Sequence, residues 1–399
     1  MDLEPNLREY GDLGRDWRGW VTIGERPHPY GVSVDRLGAS SAVIAEEDAM
    51  QIRYGTNPHQ KASIEPVRPD VWPFRVVGGE PSLINVLDAL NAWQLVREAA
   101  ETFGRPAATS FKHVSPAGAA VAGPVDPVMS RLYRVDEGSS PVARAYGRAR
   151  DADPKSSYGD MVAVSHPVDD DLADLLAGVA SDGIIAPGYA PGTVARLAAK
   201  KGGRMLVLEA DPGFPPPPVA IREIFGVQIT EERDTAPLRP AVAGAGAHAD
   251  DLLLGLITLR YTQSNSVCYV RDGMTLGIGA GQQSRIDCTR LAGAKVDTWW
   301  LRRSPALPES GTGRKAQAQV DAAAALGEPE RSAWLAELSG VAYASDGFLP
   351  FRDNVDEAAH HGVVAIAEPG GSIRADSVAE ACQEHGITLI RTGVRLFHH

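Results

Sequence analysis

Hydrophobic and polar positions alternate along this chain in blocks of strand length and helix length. LINVLDALNAWQLVREAAETFG (83–104) places apolar residues at helical spacing and ends on glycine, which predicts an amphipathic helix. PAATSFKHVSPAG (106–118) predicts a short strand running into a Pro/Gly turn. MVAVSHPV (161–168) and DGIIAPGY (182–189) predict strands, with DDDLADLLAGVAS (169–181) a helix between them. HADDLLLGLITLRYTQSNSVCYV (248–270) predicts helix, polar loop and strand, and MTLGIGAGQQSRIDCTRLAGAK (274–295) predicts strand, glycine turn and helix. GVVAIAEPGGS (362–372) and GITLIRTGVRLFHH (386–399) give two more strand–turn units, while 305–335 is Pro-, Ala- and Glu-rich and expected to be helical or variable. Strand–helix alternation in both halves predicts an α/β fold. No exact internal repeat is visible.

PGFPPPPVAIREIFG (212–226) predicts a stiff, extended connector, so the subdomain boundary is expected at 215/216. Residues 1–50 form an N-terminal extension with one candidate helix in LGASSAVIAEEDAM. The 399 residues exceed what one small core needs, and two subdomains are expected, 51–215 and 216–399.

Composition narrows the class. A net charge of −12 disfavours nonspecific binding to nucleic acid or anionic membrane, though local arginines can still hold an anionic small molecule. No apolar run is expected to reach the roughly 20 residues of a bilayer span, and the acidic start does not resemble a leader. Cys268, Cys288 and Cys382 stand apart with no paired spacing, which predicts a reducing, cytoplasmic setting and no zinc site.

Six segments could carry chemistry. Lys112-His113 puts a cation beside a potential general base, and both reach one site only if the strand ends or bulges there. Two solvated strand-end residues would look the same. RYGTNPHQ offers Arg53, a forked phosphate donor, and Tyr54, a ring or hydroxyl, at a turn. TQSNSV (262–267) puts consecutive polar residues between apolar segments, which is costly unless they bond each other or a ligand. GIGAGQQSR (277–285) could present backbone N–H groups and Arg285 to an anion. SDGFLPFRDNVD (345–356) sets Phe348, Pro350 and Phe351 beside Asp346 and Asp353, as a heteroaromatic ligand requires; a helix start capped by Asp353 or Asn354 is the alternative. The terminal His398-His399 has no partner spacing for a metal.

RYGTNPHQ, SFKHVSPAG, SSYGD, SDGIIAPGY, YTQSNSVCY, GIGAGQQSR, SDGFLPFRDNVD and RLFHH stand in the order seen in the AICAR transformylases, and over residues 50–399 the chain resembles that family, in its eukaryotic-like form. The resemblance implies a pair of cytidine-deaminase-like α/β subdomains, a homodimer with the active site at the subunit interface, and transfer of the formyl group of 10-formyltetrahydrofolate to the 5-amino group of AICAR. It implies catalytic roles for Lys112, His113 and Asn265. Nucleotide or folate contacts are implied for Arg53, Tyr54, Gly159, Asp182, Ser284, Arg285, Phe348, Pro350, Asp353, Arg395 and His399. A structural potassium site is implied at Thr262, Ser264, Ser266, Asp346 and His398. The family's cyclohydrolase domain has no counterpart in residues 1–50, so formylation without ring closure is expected. The stretch 313–334 is shorter than in the family, with Val320 where the family has asparagine and Tyr158 where close relatives have phenylalanine. A paralogue formylating a related amine and a non-catalytic nucleotide-binding protein remain alternatives.

Overall fold

The computed structural model describes residues 49–307 and 316–399, which belong to one compact unit. The candidate helix before residue 49 lies outside the described residues. In chain order the elements are β1 (Met50–Ile52), β2 (Ala62–Ile64), β3 (Phe74–Gly78), α1 (Leu83–Phe103), β4 (Ala107–Phe111), β5 (Pro116–Val121), α2 (Pro127–Tyr133), α3 (Pro141–Asp151), β6 (Asp160–Val164), α4 (Asp170–Ala177), β7 (Ser181–Ala186), α5 (Thr193–Ala198), α6 (Lys200–Gly203) and β8 (Leu206–Ala210). A hairpin follows, β9 (Val219–Ile224) and β10 (Val227–Glu232). After it come α7 (Ala249–Arg260), β11 (Val267–Arg271), β12 (Met274–Gly279), α8 (Arg285–Leu301), α9 (Ala316–Ala324), α10 (Glu330–Leu335), β13 (Val341–Ser345), α11 (Asp353–Ala359), β14 (Val363–Glu368), α12 (Ala375–Glu384) and β15 (Thr388–Arg391).

Eleven strands make one mixed sheet in the order β15-β14-β13-β11-β12-β5-β4-β6-β7-β8-β3. Its two halves share one topology. β4 runs antiparallel to β5 and β6, and β7 and β8 then continue parallel to β6. β11 likewise runs antiparallel to β12 and β13, and β14 and β15 continue parallel. The halves meet where Met274 of β12 pairs with Ala120 of β5. The duplication lies in the topology, which explains why no repeat was visible in the residues.

Helices cover both faces, so the central strands are apolar on both sides. Along β6, Met161 and Ala163 join the core beneath α1 and α7, while Val162 and Val164 join the core beneath α3 and α8. Glycine permits the closeness of the second layer. A Cβ on Gly118 of β5 would lie 2.0 Å from the Ala149 carbonyl oxygen of α3, and one on Gly277 of β12 2.2 Å from that of Ala292 in α8. Capping fixes the helix starts and ends. Ser82 caps α1, Asp169 accepts from the Leu172 N–H at the start of α4, and Gly104 closes α1 with φ +65°.

Three expectations need correction. Pro116 does not sit in a turn but opens β5, the strand position where a missing N–H costs least. The connector is extended only to Pro218; residues 219–232 fold back as the exposed β9–β10 hairpin around Phe225-Gly226. One helical run, Pro240–Arg260, is by length and composition apolar enough to cross a membrane. Its α7 portion is buried against β11 and β13, so its apolar character serves the core.

Candidate active site

The turn between β4 and β5 carries Lys112 and His113. The strand ends after Phe111, and His113 and Val114 both take left-handed backbone angles, φ +57°. For non-glycine residues that conformation costs on the order of 1–3 kcal/mol each and persists only where the surroundings impose it. Asp88 of α1 imposes it here. Its carboxylate accepts the Val114 N–H at 2.6 Å, and Asp88 is only 4% exposed. Burial holds its carboxyl above the ordinary aspartate value, against the pull of the Val114 and His113 N–H groups.

The break in the strand turns both side chains to one cleft of about 610 Å³, lined also by Ser115, Lys155, Gln263 and Lys295. The Lys112 ammonium donates to the Tyr158 carbonyl at 2.6 Å. Next to Tyr158, Gly159 has φ +72°, and a Cβ there would lie 3.4 Å from the Asp182 carboxylate. Asp182 pairs with Lys201 and lines a second cleft, of about 310 Å³, together with Arg53 and Tyr54. The Arg53 guanidinium donates to the Tyr54 hydroxyl at 2.7 Å and lies over its ring. Arg53, Tyr54, Asp182, Gly159, Lys112 and His113 therefore form one continuous chain of neighbours.

The second cluster belongs to the other half. Asn265 lies two residues before β11; its amide donates to the Gln282 and Gln283 carbonyls at 2.8 and 3.1 Å, and its oxygen accepts from Arg285 at 2.8 Å. Asn265 does not line the Lys112–His113 cleft, but its loop touches it. The Gln263 N–H donates to Ser115 Oγ at 3.3 Å. Arg285 is buried rather than open to an anion, donating to Asp346 at 2.5 Å and to Ser345 Oγ at 3.0 Å. Ser284, just before α8, makes no side-chain cap.

Asp346, fully buried, also accepts from Ser264 Oγ at 2.6 Å and from the Ser266 N–H at 3.0 Å. His398 joins through its backbone, its N–H donating to Ser264 Oγ at 3.0 Å. Thr262 Oγ donates to the Thr258 carbonyl, and the buried Ser266 hydroxyl has no partner. Burial pushes the His398 imidazole below its ordinary value, helped by the Arg222 charge.

Phe348 and Phe351 are exposed, with Pro350 between them. Asp353 opens α11 without capping it and accepts from the Asn354 amide at 2.8 Å. Arg395 lies over the Phe397 ring, and the His399 carbonyl accepts from Arg222 at 2.9 Å. Val320 sits half-buried on α9, away from the Lys112–His113 cleft.

A sequence profile of the AICARFT/IMPCHase bienzyme matches residues 32–295, two thirds of the chain. The chain belongs to the AICARFT/IMPCHase bienzyme family. Similar proteins include the bifunctional purine biosynthesis protein PurH of Cereibacter sphaeroides, 34% identical over 362 residues, and that of Ruegeria pomeroyi, 32% identical over 367. These alignments cover 88% and 89% of this chain but only 60% and 61% of those proteins, so the chain spans about three fifths of their length.

Within this member of the bienzyme family, Asp88, Ser115 and Gln263 shape the cleft and were missed from the sequence. Asp88 had a readable signal: a carboxylate on the buried face of α1, between Val86 and Ala89. Asp88→Ala should release the 112–115 turn and leave two N–H groups without their acceptor, at a cost of about 1–3 kcal/mol. The expected outcome is a kcat loss of at least about tenfold with folding retained, restored in part by Asp88→Asn. Unchanged kcat in Asp88→Ala would show that the turn holds its shape unaided.

Proposed function

We propose that the chain transfers the formyl group of 10-formyltetrahydrofolate to the 5-amino group of AICAR. The convergence of Lys112 and His113 on one cleft, at a strained turn, is the observation that carries this reading. The amine of AICAR is a poor nucleophile because its lone pair is delocalised into ring and carboxamide. A base must therefore take its proton as the new C–N bond forms. His113 takes that proton, and Lys112 stabilises the oxyanion of the tetrahedral intermediate. The intermediate collapses by breaking the bond from the formyl carbon to N10 of the folate, N10 receives the proton, and tetrahydrofolate leaves with formylated AICAR beside it. Arg53 and Tyr54 hold the nucleotide through the chain of neighbours that reaches Asp182, Gly159 and Lys112. Asn265, fixed by Arg285, orients the carboxamide.

In this reading the active chain is a homodimer. The exposed Tyr158, Phe348 and Phe351 are faces a second copy would cover, bringing Asn265, Arg395 and His399 of one chain towards His113 of the other. Mixing His113→Ala chains with Asn265→Ala chains should then restore turnover that neither gives alone. A potassium-class cation would be held by the Thr262, Ser264 and Ser266 hydroxyls beside Asp346 and the His398 backbone, a set of hard oxygen donors, and would satisfy the unpartnered Ser266 hydroxyl. Its role there is to fix the loop that carries Asn265.

The deciding assay is absorbance-monitored release of tetrahydrofolate from 10-formyltetrahydrofolate. Release that depends on AICAR supports the reading. Val320 and the short 313–334 segment favour a second one, formylation of a related amine, which the assay separates when AICAR is inert and another aminoimidazole is consumed. No release with any amine would remove both.

A further inference from the structure

A cavity larger than the one that holds Lys112 and His113 lies elsewhere among the described residues. β5 and β12 run side by side, and the Lys112–His113 cleft lies at one end of the pair, by Pro116 and Ala280. A cavity of about 1040 Å³ opens at the other end, by Pro124 and Met274. The two are roughly 17 Å apart, the length of six extended residues.

Three features of this cavity are those of a ligand site. The first is charge. Arg131, Arg148, Arg271, Arg302 and Arg303 line it against Asp126 and Asp272. Arg302 and Arg303 are held by Asp151 behind the wall, at 2.8 and 2.5 Å. Arg148 is bonded only to the Pro124 and Asp272 carbonyls, and burial pushes its guanidinium down to about 10. Arg131 is exposed, and Arg271 is half-buried over the Trp300 ring.

The second is an aromatic wall. Trp299, Trp300 and Trp334 line the cavity, with Trp300 and Trp334 stacked at 4.7 Å and 6°. Each of these two indoles donates to the other residue's carbonyl, at 2.7 and 2.8 Å, so the wall is rigid.

The third is unmet hydrogen bonding. Eight buried side-chain polar atoms among the described residues lack a partner, and four of them, Trp299 Nε1, Gln319 Oε1, Arg148 Nε and Arg302 Nε, belong to residues lining this cavity. Gln319 is 4% exposed and Trp299 6%. Buried groups of this kind are costly without partners, and half of those among the described residues sit, covered, in the wall of this one cavity.

We propose that this cavity is a second ligand site, separate from the formyl-transfer cleft, and that it takes a planar heteroaromatic anion of the nucleoside monophosphate class. The ring lies against the tryptophan wall, the phosphate is held by Arg131 and Arg271, and the Gln319 and Trp299 side chains turn from their covered positions so that Gln319 Oε1 accepts from a ring or exocyclic N–H and Trp299 Nε1 donates to a ring acceptor. The volume accommodates one such molecule.

Isothermal titration of the full 399-residue chain with AMP tests this, with adenosine and inorganic phosphate as comparison ligands. Saturable AMP binding is expected, at least about tenfold tighter than either comparison ligand. Arg131→Ala/Arg271→Ala and Gln319→Leu should each weaken it by at least about tenfold while circular dichroism shows an intact fold, and Arg53→Ala should leave it unchanged. Absence of saturable AMP binding would overturn the proposal. So would binding untouched by the double variant, binding lost in Arg53→Ala, or phosphate binding as tight as AMP, which would mark a simple anion patch.

Discussion

His113→Ala is expected to lower kcat by at least about 10²-fold, the usual scale for losing a general base. The loss should fall on kcat and kcat/KM together, because in the proposed reaction the imidazole acts as the C–N bond forms and not when AICAR binds. Two features of the site make the effect large. The left-handed backbone at His113 turns the imidazole to the same cleft as Lys112, which a regular strand would forbid. Among the described residues no second imidazole lines that cleft to replace it. Alanine tolerates φ +57° poorly, so the loss could be mistaken for a collapsed turn. Asparagine, which accepts left-handed angles more readily, separates the two. His113→Asn should keep the fold and the AICAR affinity and still lose about 10²-fold in kcat. Near-normal turnover in either variant would remove His113 from the chemistry. Lys112→Met should give a comparable loss through the oxyanion.

Most of the strands and helices were legible because their hydrophobic period is plain. α1, β6, α4, β7, α7, β11, β12 and α8 stand where apolar spacing and terminal glycines placed them. The β9–β10 hairpin was not legible. Its strands are exposed on nearly every residue, so VAIREI and VQITEE have no buried face to impose alternation, and the prolines before them dominate the reading. Pro116 misled in the same way, since proline marks a turn unless it opens a strand. The internal duplication was invisible for another reason: topology repeats through strand pairing and helix placement, which many residue choices satisfy. Of the candidate site, Lys112 and His113 were readable as a cation beside a potential base, and their convergence was readable only as conditional on a strand end or bulge. That condition is met by two left-handed residues and by Asp88, 26 positions before the Val114 that it holds, and no local pattern carries that information. Arg285 misled too, for an arginine beside a glycine turn resembles an anion donor, and only burial shows it turned inward to Asp346.

That inward pair sets the largest expected loss of stability. Asp346 is fully buried, and its side chain accepts from Arg285, Ser264 and the Ser266 N–H, while its backbone carbonyl accepts from Leu396. Asp346→Ala would leave the 7%-exposed Arg285 charge without its counter-ion inside the second half of the sheet. Stranding one partner of a buried pair costs about 3–5 kcal/mol, far more than the pair's net worth. Denaturant unfolding should show this as a lower midpoint. Asp346→Asn keeps the shape and one acceptor oxygen but removes the charge and turns the other oxygen into an N–H donor, so it should fall between. An exposed pair calibrates the result: Arg196–Asp170, with side chains 43% and 78% exposed, should change stability by less than about 1 kcal/mol when Asp170 becomes alanine. A loss under about 1 kcal/mol in Asp346→Ala would show that Arg285 does not depend on Asp346 as its counter-ion. The same substitution frees the Arg285 fork that holds Asn265, so the surviving folded enzyme should also lose kcat. Stability and the proposed chemistry in this half of the sheet are thus expected to fall together when one carboxylate is removed.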